Sequence, residues 1–182
     1  FYTAKYDGKW WLVDPDGKLF WSSGITCLNF RQTTLTRSRE QYFEWLPAEN
    51  DLLRHFYPNA GKANAEMNFF EANLFRKYGP DYMSRYFDSA VSRFRSWGIT
   101  TVANWSDYEE ISRRQGVAYT IPVNSKARMF LAEEHSKAGL VKRKYFPDVF
   151  DPQYAMNLET ALLESVGPRN NDPWLLGVFV DN

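Results

Sequence analysis

Near its C-terminal end the chain carries a short apolar run, Leu175-Leu176-Gly177-Val178-Phe179-Val180, preceded by Asn171-Asp172-Pro173 and followed by the polar pair Asp181-Asn182. A run this short, rich in β-branched and aromatic residues and without alternation, reads as a fully buried strand of a parallel sheet. The same layout, an apolar run with a polar tip, recurs in Ser22 to Asn29, in Ile99 to Ala103 followed by Asn104-Trp105-Ser106-Asp107, and in Val117 to Asn124. Parallel strands need long crossovers, and the chain supplies them. The expected class is α/β, with four parallel strands forming the N-terminal half of a (β/α)8 barrel over residues 22–182 and a β-hairpin lead-in over residues 1–21. An open doubly wound sheet gives the same alternation and is marked by a Gly-rich phosphate loop after an early strand. No G-x-G-x-x-G and no G-x-x-x-x-G-K-[ST] occurs, so nucleotide folds lose ground.

The connecting pieces have their own signals. Lys9 to Val13 and Lys18 to Trp21 flank Asp14-Pro15-Asp16-Gly17, in which Pro presets φ and Gly supplies positive φ, a hairpin turn. From Phe30 to Tyr78 the chain is long, polar and aromatic, with helical period starting only near Met67; a connection of this length carries function or short helices of its own. The clearest helix runs from Pro80 to Trp97, where Met83, Tyr86, Phe87, Ala90, Val91, Phe94 and Trp97 form one apolar stripe and Gly98 suits the stop. A short helix is expected over Tyr108 to Gln115. Pro122 is expected where the third strand leaves its ladder, and the mildly basic run from Ser125 to Phe146 reads as a loop or lid. Asp151 caps a helix with Pro152 at its first position, closed by Gly167-Pro168.

Composition removes several function classes. Twenty-two basic against twenty-two acidic residues leave no net field to draw nucleic acid or anionic membrane, and no apolar stretch is long enough to span a bilayer. The single cysteine, Cys27, sits in an apolar run and reads as a buried, inert thiol. Two distant histidines and one cysteine offer no metal cluster, so no cofactor is expected. His55, beside Phe56 and Tyr57, reads as a packed or solvated loop residue. The 7 Trp, 11 Tyr and 14 Phe exceed what a core needs, and surplus rings serve as sugar-stacking platforms or as packing between helices and sheet.

In an α/β barrel, residues at the C-terminal ends of strands line the site. Those positions hold Asn29, Asn104, Trp105, Asn124, Asp181 and Asn182. A pyranose offers apolar C–H faces to a ring and a rim of hydroxyls to amides and carboxylates. Asn104-Trp105 supplies both, although Trp105 can equally cover the end of the core, and Asn is also a common strand-terminating turn residue. His135, in the basic run, is a further candidate. Asp181 reads as a structural or supporting group, because neighbours along a strand face opposite ways and Asn182 then takes the sugar side. Asp107, Glu133 and Glu134 could reach such a cleft but read first as ordinary exposed carboxylates.

Lys9 to Ile25, Val102 to Asp107, Asp148 to Pro152 and Leu176 to Asn182 together resemble the N-terminal part of the catalytic barrel of β-agarases of glycoside hydrolase family 50. In that retaining clan, strand four ends in Asn-Glu, the Glu serving as acid/base, and a second Glu after strand seven is the nucleophile. Asn182 matches the Asn, and neither glutamate lies within the chain. The resemblance implies a polysaccharide or oligosaccharide substrate, a β-linked galactan of the agarose type, cleaved by double displacement in a secreted or periplasmic parent whose signal is not in this chain. It also implies that the chain stops mid-site and is inactive alone. A non-catalytic carbohydrate-binding or structural role, or a barrel glycosidase of other specificity such as a β-galactosidase, remains the alternative.

Overall fold

The computed structural model describes residues 1–114, 116–126, 129–131 and 144–181, with side chains described outside 127–146. In chain order the strands and helices are β1 (Tyr2–Tyr6), β2 (Lys9–Val13), β3 (Leu19–Phe20), β4 (Gly24–Ile25), β5 (Thr34–Leu35), β6 (Glu66–Met67), α1 (Phe69–Tyr78), α2 (Tyr82–Trp97), β7 (Thr101–Val102), α3 (Tyr108–Ser112), β8 (Ala118–Val123), β9 (Met129–Leu131), β10 (Lys144–Pro147), α4 (Pro152–Ser165) and β11 (Leu175–Val180). They fall into two compact units, Phe1–Cys27 with Gly98–Asn182, and Leu28–Trp97. Among the described residues no helix is long and apolar enough to cross a membrane.

The first unit holds a sheet of four strands, β4-β7-β8-β11, every pairing parallel and the spatial order the same as the chain order. Helices α3 and α4 pack against β8, whose Tyr119 and Ile121 are fully buried. Gly24 is where β4 meets β7 most closely: a Cβ there would sit 2.3 Å from the Thr101 carbonyl oxygen. Beside this pairing the Ser22 and Thr101 hydroxyls bond at 2.8 Å and Ser23 N–H donates to Thr100 Oγ1 at 2.9 Å. A separate antiparallel sheet, β1-β2-β3, precedes it. Its β2–β3 turn is the one expected, with Gly17 at φ 79 and the Asp14 carboxylate accepting from the N–H groups of Asp16 and Lys18. The β1–β2 turn was legible and went unread: Asp7-Gly8 has φ 47 and 73, the doubly positive φ of a type I′ hairpin.

The second unit fills the long connection with structure. Leu53, Phe56, Tyr57, Ala65, Met67 and Ala72 form its core, with Leu46, Phe75 and Tyr82 packed against them. Helix α1 begins in a reciprocal cap, Asn68 Oδ1 accepting from Glu71 N–H at 3.0 Å while the Asn68 amide donates to Glu71 Oε2 at 2.9 Å. Phe30 anchors a ring cluster with Phe70, Tyr82, Tyr86 and Phe87. Much of the aromatic surplus is therefore packing.

Four expectations need correction. β11 is parallel to β8 but not fully buried: it is the edge strand of the described sheet, and Val178, Phe179 and Val180 are exposed. Cys27 is exposed rather than buried, because the backbone turns at φ 60 there and leaves the strand. Pro122 stays inside β8, in register with Phe179. Along a strand in a parallel ladder successive residues hydrogen-bond to opposite neighbours; Val123 O accepts from Asp181 N–H, so Pro122 faces the β7 side, where pairing has already ended at Tyr119. Finally, the basic run is not wholly loop, since its two ends pair as the antiparallel strands β9 and β10.

Candidate functional site

At the carboxyl ends of β7, β8 and β11 lies a pocket of about 240 Å³ lined by Asn104, Trp105, Pro122, Val123, Asn124, Phe179 and Asp181. Four of the strand-tip residues singled out in the sequence, Asn104, Trp105, Asn124 and Asp181, thus converge on one cavity. Asn29 does not line it; it belongs to the second unit, is buried, and uses Oδ1 to accept from Arg31 N–H at 2.7 Å. His135 and Asn182 lie outside the described residues, as do Glu133 and Glu134. His55, in the second unit, is an exposed residue of a 3-10 turn whose Nδ1 lies 2.8 Å from Leu52 O.

Each lining group is held differently. Asn104 is 5% exposed; its Oδ1 accepts from Thr120 Oγ1 at 3.0 Å and its carbonyl accepts from Cys27 N–H at 3.0 Å. With Oδ1 accepting from Thr120, Nδ2 is the donor side of this amide. Trp105 is 46% exposed with φ 61, a backbone setting that is an outlier for a bulky residue. At that exposure Trp105 is not among the buried residues of the described structure. Asn124 makes the turn expected of a strand-end Asn, accepting from Lys126 N–H at 2.7 Å, and lines the pocket as well. Asp181 has φ 54; its two carboxylate oxygens accept from Ser125 N–H at 2.8 Å and Ser125 Oγ at 2.6 Å. The strand alternation used to assign Asp181 and Asn182 to opposite faces therefore ends at Val180.

The opposite end of the same strands is built for stability. The Tyr119 hydroxyl donates to Asp172 Oδ2 at 2.7 Å, and Asp172 Oδ1 accepts from Trp174 N–H at 2.9 Å. Burial pushes the Tyr119 phenol above its ordinary pKa, and the Asp172 carboxylate accepting its proton pushes it further the same way. Arg169 lies near Glu109 at 3.4 Å and over the Tyr108 ring.

No protein-family model matches the chain. Two comparisons do find relatives. The chain is 32% identical to Beta-agarase B of Vibrio sp. (strain JT0107), with all of this chain and 22% of that protein covered. The chain is β-agarase-like from end to end. Among solved structures it is similar to the agarase AgWH50C, at 28% identity and a TM-score of 0.81 over 99% of this chain and 28% of that one. It is also similar to PfGH50B, at 31% identity and a TM-score of 0.80 over the same shares. The resemblance to glycoside hydrolase family 50 read from the strand motifs is thus carried by the whole 182 residues, and the chain spans less than a third of the length of these relatives.

Two further pockets went unread in the sequence. One, of about 490 Å³, is formed on the β2–β3 sheet by Trp10, Trp11, Trp21, Leu12 and Phe20 with Lys9 and Ser22; its residues were read as strand, and alternation alone does not show which of three indoles stay open. The other, of about 290 Å³, lies in the second unit and includes His55, Glu66, Asn68, Glu71 and Tyr82. The Tyr82 hydroxyl donates to Glu71 Oε1 at 2.5 Å, and burial together with that carboxylate raises its pKa. Asn68 and Glu71 belong to the local cap of α1, while Tyr82 reaches Glu71 from the next helix, 11 residues on.

Proposed function

We propose that this chain is the first part of a (β/α)8 glycosidase barrel, entered through the hairpin of residues 1–21 and running over 22–182, in a longer protein that hydrolyses a β-linked galactan of the agarose type. The observation that carries the reading is the pocket at the strand exits, where the half-exposed Trp105 lies beside the Asn104 amide, in a chain β-agarase-like over its whole length. The sequential order of the four parallel strands supports a barrel over a doubly wound sheet, whose strand order reverses at its switch point. In this reading Trp105 stacks on a pyranose C–H face, Asn104 Nδ2 donates to a ring hydroxyl, and Asn124 borders the same subsite. Asn182 and His135 are proposed contacts on the same face.

Retaining hydrolysis needs two carboxyl groups about 5–5.5 Å apart, one protonating the leaving oxygen and one attacking the anomeric carbon. Asp181 is the carboxylate lining the pocket, and Ser125 holds both its oxygens. We assign the catalytic pair to residues of the longer protein outside these 182, with a Glu directly after Asn182 as acid/base. A carboxyl there, raised in pKa by a neighbouring carboxylate, stays protonated until used.

The test is hydrolysis of agarose oligosaccharides by the full-length protein, with the anomer of the first product read by NMR. Retention of configuration, and no turnover by the isolated 182-residue chain, is expected. Inversion, or turnover by the isolated chain, overturns the reading.

A further inference from the structure

We infer that Ser125 and Asp181 form a clamp that positions the segment leaving β11, an inference that rests on the glycosidase reading above. Among the described residues, hydrogen bonds joining the exits of β8 and β11 include three: Asp181 N–H to Val123 O at 2.8 Å, Ser125 N–H to Asp181 Oδ1 at 2.8 Å, and Ser125 Oγ to Asp181 Oδ2 at 2.6 Å. The first is the last rung of the parallel ladder. The other two cross the same gap through a side chain, fixing Asp181 just where its backbone turns to φ 54. A non-glycine residue persists in that conformation when its surroundings over-determine it, and a short polar side chain that bonds locally is the kind that does so.

The clamp decides direction. An extended residue at 181 would continue β11 along the edge of β8, whereas the left-handed turn sends the chain off the ladder at a fixed angle. Whatever group follows in the longer protein inherits that angle. Ser125 is 1% exposed and is not among the residues lining the strand-exit pocket, so the contact by which it reaches the pocket lining is its bond to Asp181. Both are positioning residues.

The full-length protein tests this with three variants. In Ser125→Ala, kcat on agarose oligosaccharides is expected to fall by on the order of ten- to a hundredfold, the scale of a small misplacement of a reacting group, with KM changed by less than about twofold. Ser125→Thr keeps the hydroxyl and is expected to restore most of kcat. Asp181→Asn keeps an acceptor for the Ser125 N–H and is expected to fall between. Amide exchange at Asp181 is expected to quicken in Ser125→Ala while the rest of β11 keeps its protection. Unchanged kcat in Ser125→Ala, or a loss that tracks a lowered Tm and that neither conservative variant recovers, overturns the clamp's positioning role. A full-length protein without galactan turnover overturns the substrate reading instead, and the exchange rate at Asp181 still decides whether the clamp holds the tip.

Discussion

The two ends of the parallel sheet obey different rules. Where strands enter, positive φ is given to glycine, Gly98 ahead of β7 and Gly116 ahead of β8. Where they exit, it is given to Cys27, Trp105, Lys126 and Asp181, one after each of the four strands. Glycine takes that conformation at no steric cost, whereas other residues pay about 1 kcal/mol or more for it. The entrance is relaxed and closed by the Tyr119–Asp172 bond; the exit is strained, carries the pocket, and is held by side chains that reach between strands. Strain of this kind collects at functional sites because a fixed, unfavourable backbone direction aims a side chain that an ordinary strand end would not. The two ends of one sheet therefore differ in backbone strain, and under the proposed function substitutions at each end should separate stability from sugar binding.

The largest effect is expected at Gly24→Ala. The added Cβ would meet the backbone oxygen of Thr101 at 2.3 Å, and backbone cannot rotate away, so β4 must separate from β7. A loss of about 3 kcal/mol is expected, at the upper end for overpacking, measured by urea denaturation. A loss under about 0.5 kcal/mol, no more than an ordinary surface substitution, would show that β4 slides freely and that the sheet's first pairing contributes little.

Asp172→Ala comes next. It leaves the hydroxyl of a fully buried tyrosine without its acceptor and frees Trp174 N–H; the expected cost is about 2 kcal/mol, from loss of a charged hydrogen bond and an orphaned donor. Sugar affinity should not change, since the bond sits at the entrance. The same pair gives a pH dependence with a definite sign. The folded-state pKa of Tyr119 lies above its unfolded value of about 10, so its contribution is fully present below that pH and is lost as pH rises toward the folded value. Tyr119→Phe should flatten part of the alkaline loss of stability, Tyr82 retaining its own share. An unchanged alkaline profile would mean that neither burial nor Asp172 raises the Tyr119 phenol in the folded state.

Much of this division was legible in the chain, and the part that was not has a common cause. The Asp14–Gly17 turn, the Asp151 cap and the order of apolar runs are local signals, and each appears where its residues place it. The strand-tip rule names Asn104, Trp105, Asn124 and Asp181, and these four line one pocket, because the rule depends only on where a strand ends. Asn29 is not among the residues lining that pocket, and the backbone has already left β4 two residues earlier, at Cys27. Ser125 was missed because its partner lies 56 residues away. Burial of β11 was overread because an apolar run states what a strand can bury, not what covers it.

Trp105→Ala should act at the exit alone. In the full-length protein, loss of a stacked ring is expected to weaken sugar binding by about 1–3 kcal/mol, on the scale of aromatic stacking against nucleic-acid bases. Because nearly half of the residue is open to solvent, global stability should change little. Unchanged affinity with a lowered Tm would return Trp105 to the core and remove the ring from the binding reading.

The smallest effect distinguishes the ring from the backbone that aims it. Both Trp105→Ala and Trp105→Gly delete the indole, so both should lose the same affinity. They differ in the turn: alanine retains a Cβ at φ 61, while glycine occupies that region freely but carries more chain entropy into the unfolded state. Relief of about 1–2 kcal/mol of steric cost against about 0.4–1 kcal/mol of added unfolded-state entropy leaves glycine ahead by up to about 1.6 kcal/mol, measurable as a higher denaturation midpoint at unchanged m. A glycine variant less stable than the alanine one would mean that the exit backbone is not strained at Trp105. The left-handed turn would then be an ordinary strand end, and the contrast between the two ends of the sheet would rest on Asp181 and its clamp.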